Sequence, residues 1–240
     1  MMRKYFRKIL CKSSIGSSFV KRFDDFRYAR ALRVNNALQN RCLHKYGYEA
    51  AGIIAKTVKK LEIRSFADFG TLLGVIRDGG FVEHDLDMDF SVFPETCDYK
   101  RLASALLSEG FEFIHAFLYE GAITEVTVRY KGVPIDFFAY LNDGEEFYTQ
   151  VYTFNMNEGD AVHRPGIRQF RPRIANLVTL KVHDISFLVP SNYEEVLTMQ
   201  YGNWKMPNRE WDYAKQIYGR RQIALSGFAE ILDWQKFLSI

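Results

Sequence analysis

Three aspartates, Asp85, Asp87 and Asp89, stand at alternate positions in the run His84-Asp85-Leu86-Asp87-Met88-Asp89-Phe90. Alternation of this kind predicts a strand over Leu86 to Val92, with the acids on one face and Leu86, Met88 and Phe90 on the other. Three like charges on one pleat repel, so such a sheet needs a cation or raised carboxyl pKa values to be tolerable. A hard cation, Mg²⁺ or Mn²⁺, is the economical answer. Magnesium takes one or two carboxylates and completes its shell with water and substrate phosphates. The plain alternative is an exposed edge strand with solvated aspartates.

The segment upstream favours the chemical reading. Phe69-Gly70-Thr71-Leu72-Leu73-Gly74-Val75-Ile76-Arg77 follows a short aromatic strand, Ser65 to Phe69. A strand, then Gly70-Thr71, then a helix presents backbone N–H groups and a hydroxyl suited to phosphate. Gly70, Gly74 and Arg77 share a helix face, so the Arg77 guanidinium either reaches a phosphate or pairs with one of the aspartates. Asp78-Gly79-Gly80 reads as the turn back into the acidic strand, and Asp78 itself is expected to matter little. A third acid is expected on a neighbouring strand, where Val133-Pro134-Ile135-Asp136-Phe137-Phe138 places a charge inside an apolar run. Such a charge is costly without a partner. Asp136 either completes a metal site or takes the proton from an attacking hydroxyl.

Other polar groups carry less. His84 reads as a packing or hydrogen-bonding residue, and His44, His115 and His183 have no partner assignable from sequence. Tyr201 and Trp204 are expected to pack a C-terminal helix. His163, Arg164, Arg168, Arg171 and Arg173 form an irregular basic segment, expected as a solvated loop, with reception of an anionic ligand as the alternative.

The elements that position these residues emerge from periodicity and turn chemistry. Residues 34–61 read as a helix or helix pair, with Gly47 a candidate break, and 99–107 is apolar at helical spacing. Four strand-like runs, 111–118, 122–130, 133–140 and 146–155, are separated by Glu120-Gly121, Lys131-Gly132 and Asn142-Asp143-Gly144, and should pair antiparallel. Ser191-Asn192-Tyr193-Glu194 has the capping-box pattern, and Gly202 is placed to end the helix it opens. The expected fold is α+β, a mixed and largely antiparallel sheet flanked by helices.

The chain has 240 residues, 48% apolar and 25% charged, which excludes a disordered protein and suffices for one large core. Three cysteines without a C-x-x-C pair build neither a disulfide framework nor a structural zinc site. No apolar run approaches about 20 residues, and a cytoplasmic setting is expected. Residues 1–33 carry ten basic side chains against Asp24 and Asp25 alone. That basic arm is expected either to meet an anionic membrane surface at the inner face or to stay solvated; nucleic acid is not an expected partner. The expected division is an arm over 1–33 and one catalytic domain over 34–240.

The ordered set Gly70-Thr71-Leu72-Leu73-Gly74, Arg77, Gly80-Phe81, His84-Asp85-Leu86-Asp87-Met88-Asp89 resembles the signature of the LicD/fukutin-related phosphotransferases. Ile135-Asp136-Phe137 resembles that family's next acidic strand. Val189-Pro190, Tyr193, Tyr201-Gly202, Trp204 and Pro207 resemble its C-terminal motif. The likeness spans about 60–210 and leaves residues 1–55 outside. It implies a nucleotidyltransferase-like fold of the polymerase-beta superfamily. It also implies transfer of phosphocholine, glycerol phosphate or ribitol phosphate from a CDP-activated donor to a sugar hydroxyl of a cell-surface glycan or glycolipid. Without the membrane anchor of the family's Golgi members, a bacterial cytoplasmic setting is expected. On this reading Asp87, Asp89 and Asp136 are catalytic and metal-binding, and Gly70, Thr71, Arg77 and Asp85 face the substrate. The rivals are a nucleotidyltransferase moving NMP, a metal-dependent glycosyltransferase and a non-catalytic membrane-surface adaptor.

Overall fold

The computed structural model describes residues 14–144, 146–153, 166–208, 222–224 and 228–240. A long helix, α1 (Ser14–Lys60), opens the chain and crosses the 33/34 boundary without interruption. Gly47 does not break it. A side chain there would strike Phe81, with a Cβ coming within 2.6 Å of that ring.

Next come β1 (Ser65–Ala67) and a short helix, α2 (Phe69–Leu73). The backbone then widens into a π turn over Gly74–Asp78, closed by the Gly79 N–H bonded to the Gly74 carbonyl. Strand β2 (Met88–Val92) starts two residues later than the alternation predicts, so Asp85 and Asp87 lie in the loop entering it. Helix α3 (Tyr99–Ser108) is capped by Asp98, whose carboxylate accepts from Lys100 N and Arg101 N.

The strands β3 (Glu112–Tyr119), β4 (Ala122–Tyr130) and β5 (Val133–Ala139) form the expected antiparallel meander. Its two tight turns put Glu120 and Gly121 at φ 50° and 81°, and Lys131 and Gly132 at φ 48° and 89°. Positive φ at both central residues is the turn whose twist matches that of the flanking strands. The main sheet runs β1-β2-β5-β4-β3-β12, where β12 is Glu230–Leu232. Its β2–β5 pair is parallel and every other pair antiparallel. The fold is thus a mixed α+β sheet flanked by helices.

The fourth predicted strand leaves this sheet. β6 (Leu141–Asn142) and β7 (Phe147–Thr153) join β8 (Gly166–Phe170) and β11 (Gln222–Ala224) in a second sheet of order β11-β8-β7-β6. A hairpin, β9 (Leu177–Val182) and β10 (Ile185–Pro190), precedes α4 (Tyr193–Tyr201), and α5 (Trp234–Ser239) ends the chain. The capping box does not form: Asn192 sits at the N-cap, but its side chain bonds Arg173 O, Ala175 N and Glu195 instead. Gly202 ends α4 as expected.

One face of the main sheet is the core. Met88, Phe90, Val126, Val128, Ile135 and Phe137 pack there with Leu43, Ala50 and Ile54 of α1 and Leu102 and Leu106 of α3. By strand alternation, the residues between them project from the opposite face.

Candidate active site

That opposite face carries a polar row crossing four strands. Asp89 on β2 pairs with Asp136 on β5, Asp136 with Thr127 on β4, and Thr127 with His115 on β3. The Thr127 hydroxyl donates to Asp136 Oδ1 at 2.6 Å. Glu125, two residues before Thr127 and on the same face, has its Oε1 3.2 Å from that hydroxyl. His115 Nε2 stands 3.2 Å from Thr127 Oγ1 and 3.8 Å from Glu125 Oε1. A hydroxyl has one hydrogen, so its shorter bond fixes Asp136, and Glu125 is left with the weaker contact.

Asp89 is held from the other side by α2. The Gly70 N–H donates to Asp89 Oδ2 at 3.0 Å, and the Asp89 N–H donates to Thr71 Oγ1 at 2.8 Å. The two groups expected to meet phosphate are thus both bonded to Asp89. Directly behind them, fully buried Asp68 caps α2. Its carboxylate accepts from Phe69 N, from Ser91 Oγ at 2.7 Å and from Gln200 Nε2 at 2.7 Å, joining α2, β2 and α4 at one point. Phe69 is forced to φ 41° in the process, a left-handed conformation costing a bulky residue about 1–3 kcal/mol. Its ring packs on Phe138 and Phe170, contacts that keep it there.

The electrostatics of this cluster are unbalanced. Burial, then the Asp87 charge, pushes the Asp85 carboxyl up to about 7. Burial pushes Asp87 up to about 6 and Glu125 up to about 8. Asp89 and Asp136 are raised further, by burial first and then by their neighbouring carboxylates. His115 is lowered by burial, so it offers the acids little positive charge. Arg77 offsets this only at Asp85, and there as the least of the influences. It forms a two-pronged pair with Asp78 at 2.8 and 2.7 Å, and its third nitrogen donates to Trp204 O at 3.3 Å. Of the two roles open to Arg77, pairing with an aspartate is realised, and the partner is the one expected to matter least.

Beside the row opens a cleft of about 300 Å³, lined among others by Gly70, Arg77, His84, Asp85, Tyr201 and Trp204. Asp85 is the acid that lines it, and Gly70, which also lines it, donates to Asp89. Tyr201 lies close enough to these acids for their charges, after burial, to raise its hydroxyl pKa well above 10. Both Tyr201 and Trp204 thus line the cleft as well as packing α4.

An all-oxygen set of buried, mutually repelling carboxylates is the donor chemistry of a hard divalent cation. Among the described residues, however, no three His, Cys, Asp or Glu side chains are grouped so that they could hold a metal ion, so the expected set Asp87, Asp89 and Asp136 does not form a three-carboxylate site. The residues fit a cation held by two carboxylates with water and substrate oxygens filling the remainder, which is the habit of magnesium.

Asp68, Glu125, Thr127 and His115 were not found by reasoning from sequence. Glu125 had the signal that marked Asp136, a charge inside the apolar run Ala122 to Tyr130; the others depend on strand register. Of the basic segment, His163 and Arg164 lie outside the described residues. Arg168, 7% exposed on β8, and Arg171, paired with Asp143, depart from the solvated-loop reading, whereas Arg173 is exposed outside any helix or strand. His44 meets Glu83 O, and His183 packs edge-on against Tyr48.

The chain matches the family described as LicD/FKTN/FKRP, nucleotidyltransferase domain, over residues 62–192, and it belongs to that family. It is similar to the mouse ribitol-5-phosphate transferase FKTN, 22% identical over 244 residues covering 98% of this chain and 47% of the relative. The macaque (Macaca fascicularis) and human proteins of the same description are each 24% identical over 216 residues, covering 86% of this chain and 42% of theirs. The chain thus spans less than half the length of these curated relatives. Among the described residues, no helix is long and apolar enough to cross a membrane.

Proposed function

We propose that the chain transfers a phospho-alcohol (phosphocholine, glycerol phosphate or ribitol phosphate) from a CDP-activated donor to a sugar hydroxyl of a glycan or glycolipid. The observation that carries this reading is the pairing of Asp89 with Asp136 in register on adjacent strands, both buried without a cationic partner, beside a cleft large enough for part of a nucleotide. Membership of the family and the name carried by the mouse, macaque and human relatives point to the same chemistry.

In this reading Asp87 and Asp89 hold Mg²⁺ or Mn²⁺. When bound, the cation supplies charge stabilisation at the phosphate oxygens. Asp136, its Oδ1 fixed by Thr127, takes the proton of the sugar hydroxyl at Oδ2. The sugar oxygen bonds to the phosphorus that bears the alcohol, the bond from that phosphorus to the CMP oxygen breaks, and CMP leaves. Asp85 and the Arg77–Trp204 wall orient the donor in the cleft.

The basic stretch 1–33 brings the protein to an anionic lipid surface where a glycolipid acceptor resides. Leu32, Val34 and Leu38, exposed on α1 by 46, 62 and 51%, extend that stretch with apolar side chains an interface would cover.

The test is nucleotide release. The protein is incubated with Mg²⁺, a bacterial glycolipid extract and CDP-choline, CDP-glycerol or CDP-ribitol in turn, beside Asp89→Asn. CMP formed from one donor by the native protein alone supports the reading. Pyrophosphate released from a nucleoside triphosphate instead would make the protein a nucleotidyltransferase proper. Absence of any nucleotide binding would leave the adaptor.

A further inference from the structure

The loop that carries Asp85 is gripped from α1. Asn40 Nδ2 donates to both Glu83 O at 3.0 Å and Asp85 O at 2.8 Å. One turn on, His44 Nε2 lies 3.2 Å from Glu83 O. One turn further, the Tyr48 ring packs at a tilt against the Phe81 ring with centroids 4.6 Å apart. Asn40, His44 and Tyr48 are spaced i, i+4, i+8 and so form one stripe of the helix. The loop fits that stripe closely. A Cβ on Gly80 would come within 2.6 Å of the Tyr48 hydroxyl, and one on Gly70 within 2.5 Å of Asp85 Oδ2. Asp85 is therefore trapped between the start of α2 and a loop whose carbonyls are gripped from α1. All three residues of the stripe lie outside the 62–192 match that identifies the family.

We propose that Asn40 is a positioning residue of the cleft: through its two bonds to the 83–85 backbone it sets where the Asp85 carboxylate stands, making the 40–48 stripe of α1 a working part of the catalytic unit. Both acceptors are backbone carbonyls, so the grip depends on the amide donor and not on what side chains the loop carries. The second and third members of the stripe set the loop's height, and Asn40 sets its end. The inference rests on reading the Asp85 cleft as the donor site.

Asn40→Asp is the direct test, since it keeps size and shape but replaces the donating amide with an acceptor facing two carbonyls. Arg41→Ala serves as control, because Arg41 is exposed and, among the described residues, bonds within its own helix to Ala37 O. Two readouts are taken on the full chain. The first is amide hydrogen exchange over 80–88, expected to quicken about tenfold or more in Asn40→Asp and to stay unchanged in Arg41→Ala. The second is affinity for CMP with Mg²⁺, expected to fall about tenfold in Asn40→Asp, with the midpoint of thermal unfolding within a few degrees of the native protein. Unchanged exchange over 80–88 would overturn the grip. Faster exchange with unchanged CMP affinity would overturn the positioning role. Failure of the native protein to bind CMP would overturn the donor-site reading instead, with the exchange result still deciding whether Asn40 holds the loop. A merely structural Asn40 would lower the melting point and loosen exchange across α1, not selectively at 80–88.

Discussion

Asp89 and Asp136 sit directly opposite one another on the parallel strands β2 and β5, and each is fixed by a donor from a different element: Gly70 N–H for the first, the Thr127 hydroxyl for the second. Burial and the neighbouring carboxylates make both hold their protons more tightly than a free aspartate does. Their raised values, with those of Asp85, Asp87 and Glu125, set the direction of a pH effect. An unfolded carboxyl titrates near 4, so through the interval up to about 8 the folded protein binds more protons than the unfolded one. Stability of the cation-free protein is fullest near or below pH 4 on this account and is lost as pH rises through 6 to 8. The expected melting point is several degrees lower at pH 8 than at pH 5.5, read by calorimetry in chelator. A melting point that rises over this interval would sink the electrostatic account.

Magnesium reverses that loss. A cation that binds only the folded, deprotonated cluster stabilises by about 2.7 kcal/mol at a hundred times its dissociation constant. The stabilisation should be larger at pH 8 than at pH 5.5, where protons compete for the same oxygens, and binding should release protons into a weak buffer. Equal shifts at both pH values would mean the cation binds elsewhere.

Asp89→Asn and Asp136→Asn should separate two roles. Both are expected to lower CMP release by at least about a hundredfold. Only Asp89→Asn should also weaken Mg²⁺ binding strongly, as measured by titration calorimetry, because Asp136 is assigned to the proton. In cation-free buffer at pH 8 each variant should melt higher than the native protein, since one repelling carboxyl is gone.

Asp78→Asn should matter, against the expectation from sequence. The two-pronged bond to Arg77 loses one arm, and Arg77 is what ties the π turn to Trp204 across the cleft. The expected outcome is a several-fold rise in donor KM with kcat little changed, while Asp78→Glu should recover part of it. A loss confined to kcat would contradict this assignment.

Vesicle flotation addresses the basic N-terminal stretch. Binding to vesicles containing phosphatidylglycerol but not to pure phosphatidylcholine is expected, weakening between about 50 and 300 mM salt as surface charges are screened. A chain lacking residues 1–33 that floats equally well would move the contact to another surface.

The acids that stand in a short motif were legible because each breaks a local pattern: Asp87 and Asp89 alternate with buried Met88 and Phe90, and Asp136 interrupts Val133 to Phe138. The meander was legible because Glu120-Gly121 and Lys131-Gly132 are turn chemistry of one type. What was not legible is register. Nothing local says that β2 pairs parallel with β5 while α3, β3 and β4 intervene, and that pairing alone brings Asp89 to Asp136. His115 joins the row only because a β-bulge between Phe113 and His115 shifts β3 against β4. That the partner of Arg77 is Asp78 was not legible for a smaller reason: adjacent side chains do not meet in an ordinary helix, and Gly74–Asp78 is a π turn.

That π turn over Gly74–Asp78 has a consequence for chain length. A turn closed from Gly79 N–H to the carbonyl five residues back holds one residue more than the α turn in its place. Removing any single residue from it would leave an ordinary α turn, in which neighbouring side chains such as Arg77 and Asp78 no longer face each other. Arg77 would then swing away from Trp204 and the loop from Tyr48, although every chemically notable residue remained in the chain. The spacing from Gly74 to Gly79 is thus as much a part of the signature as its letters. Comparisons that permit a one-residue gap there would admit chains unable to build this cleft.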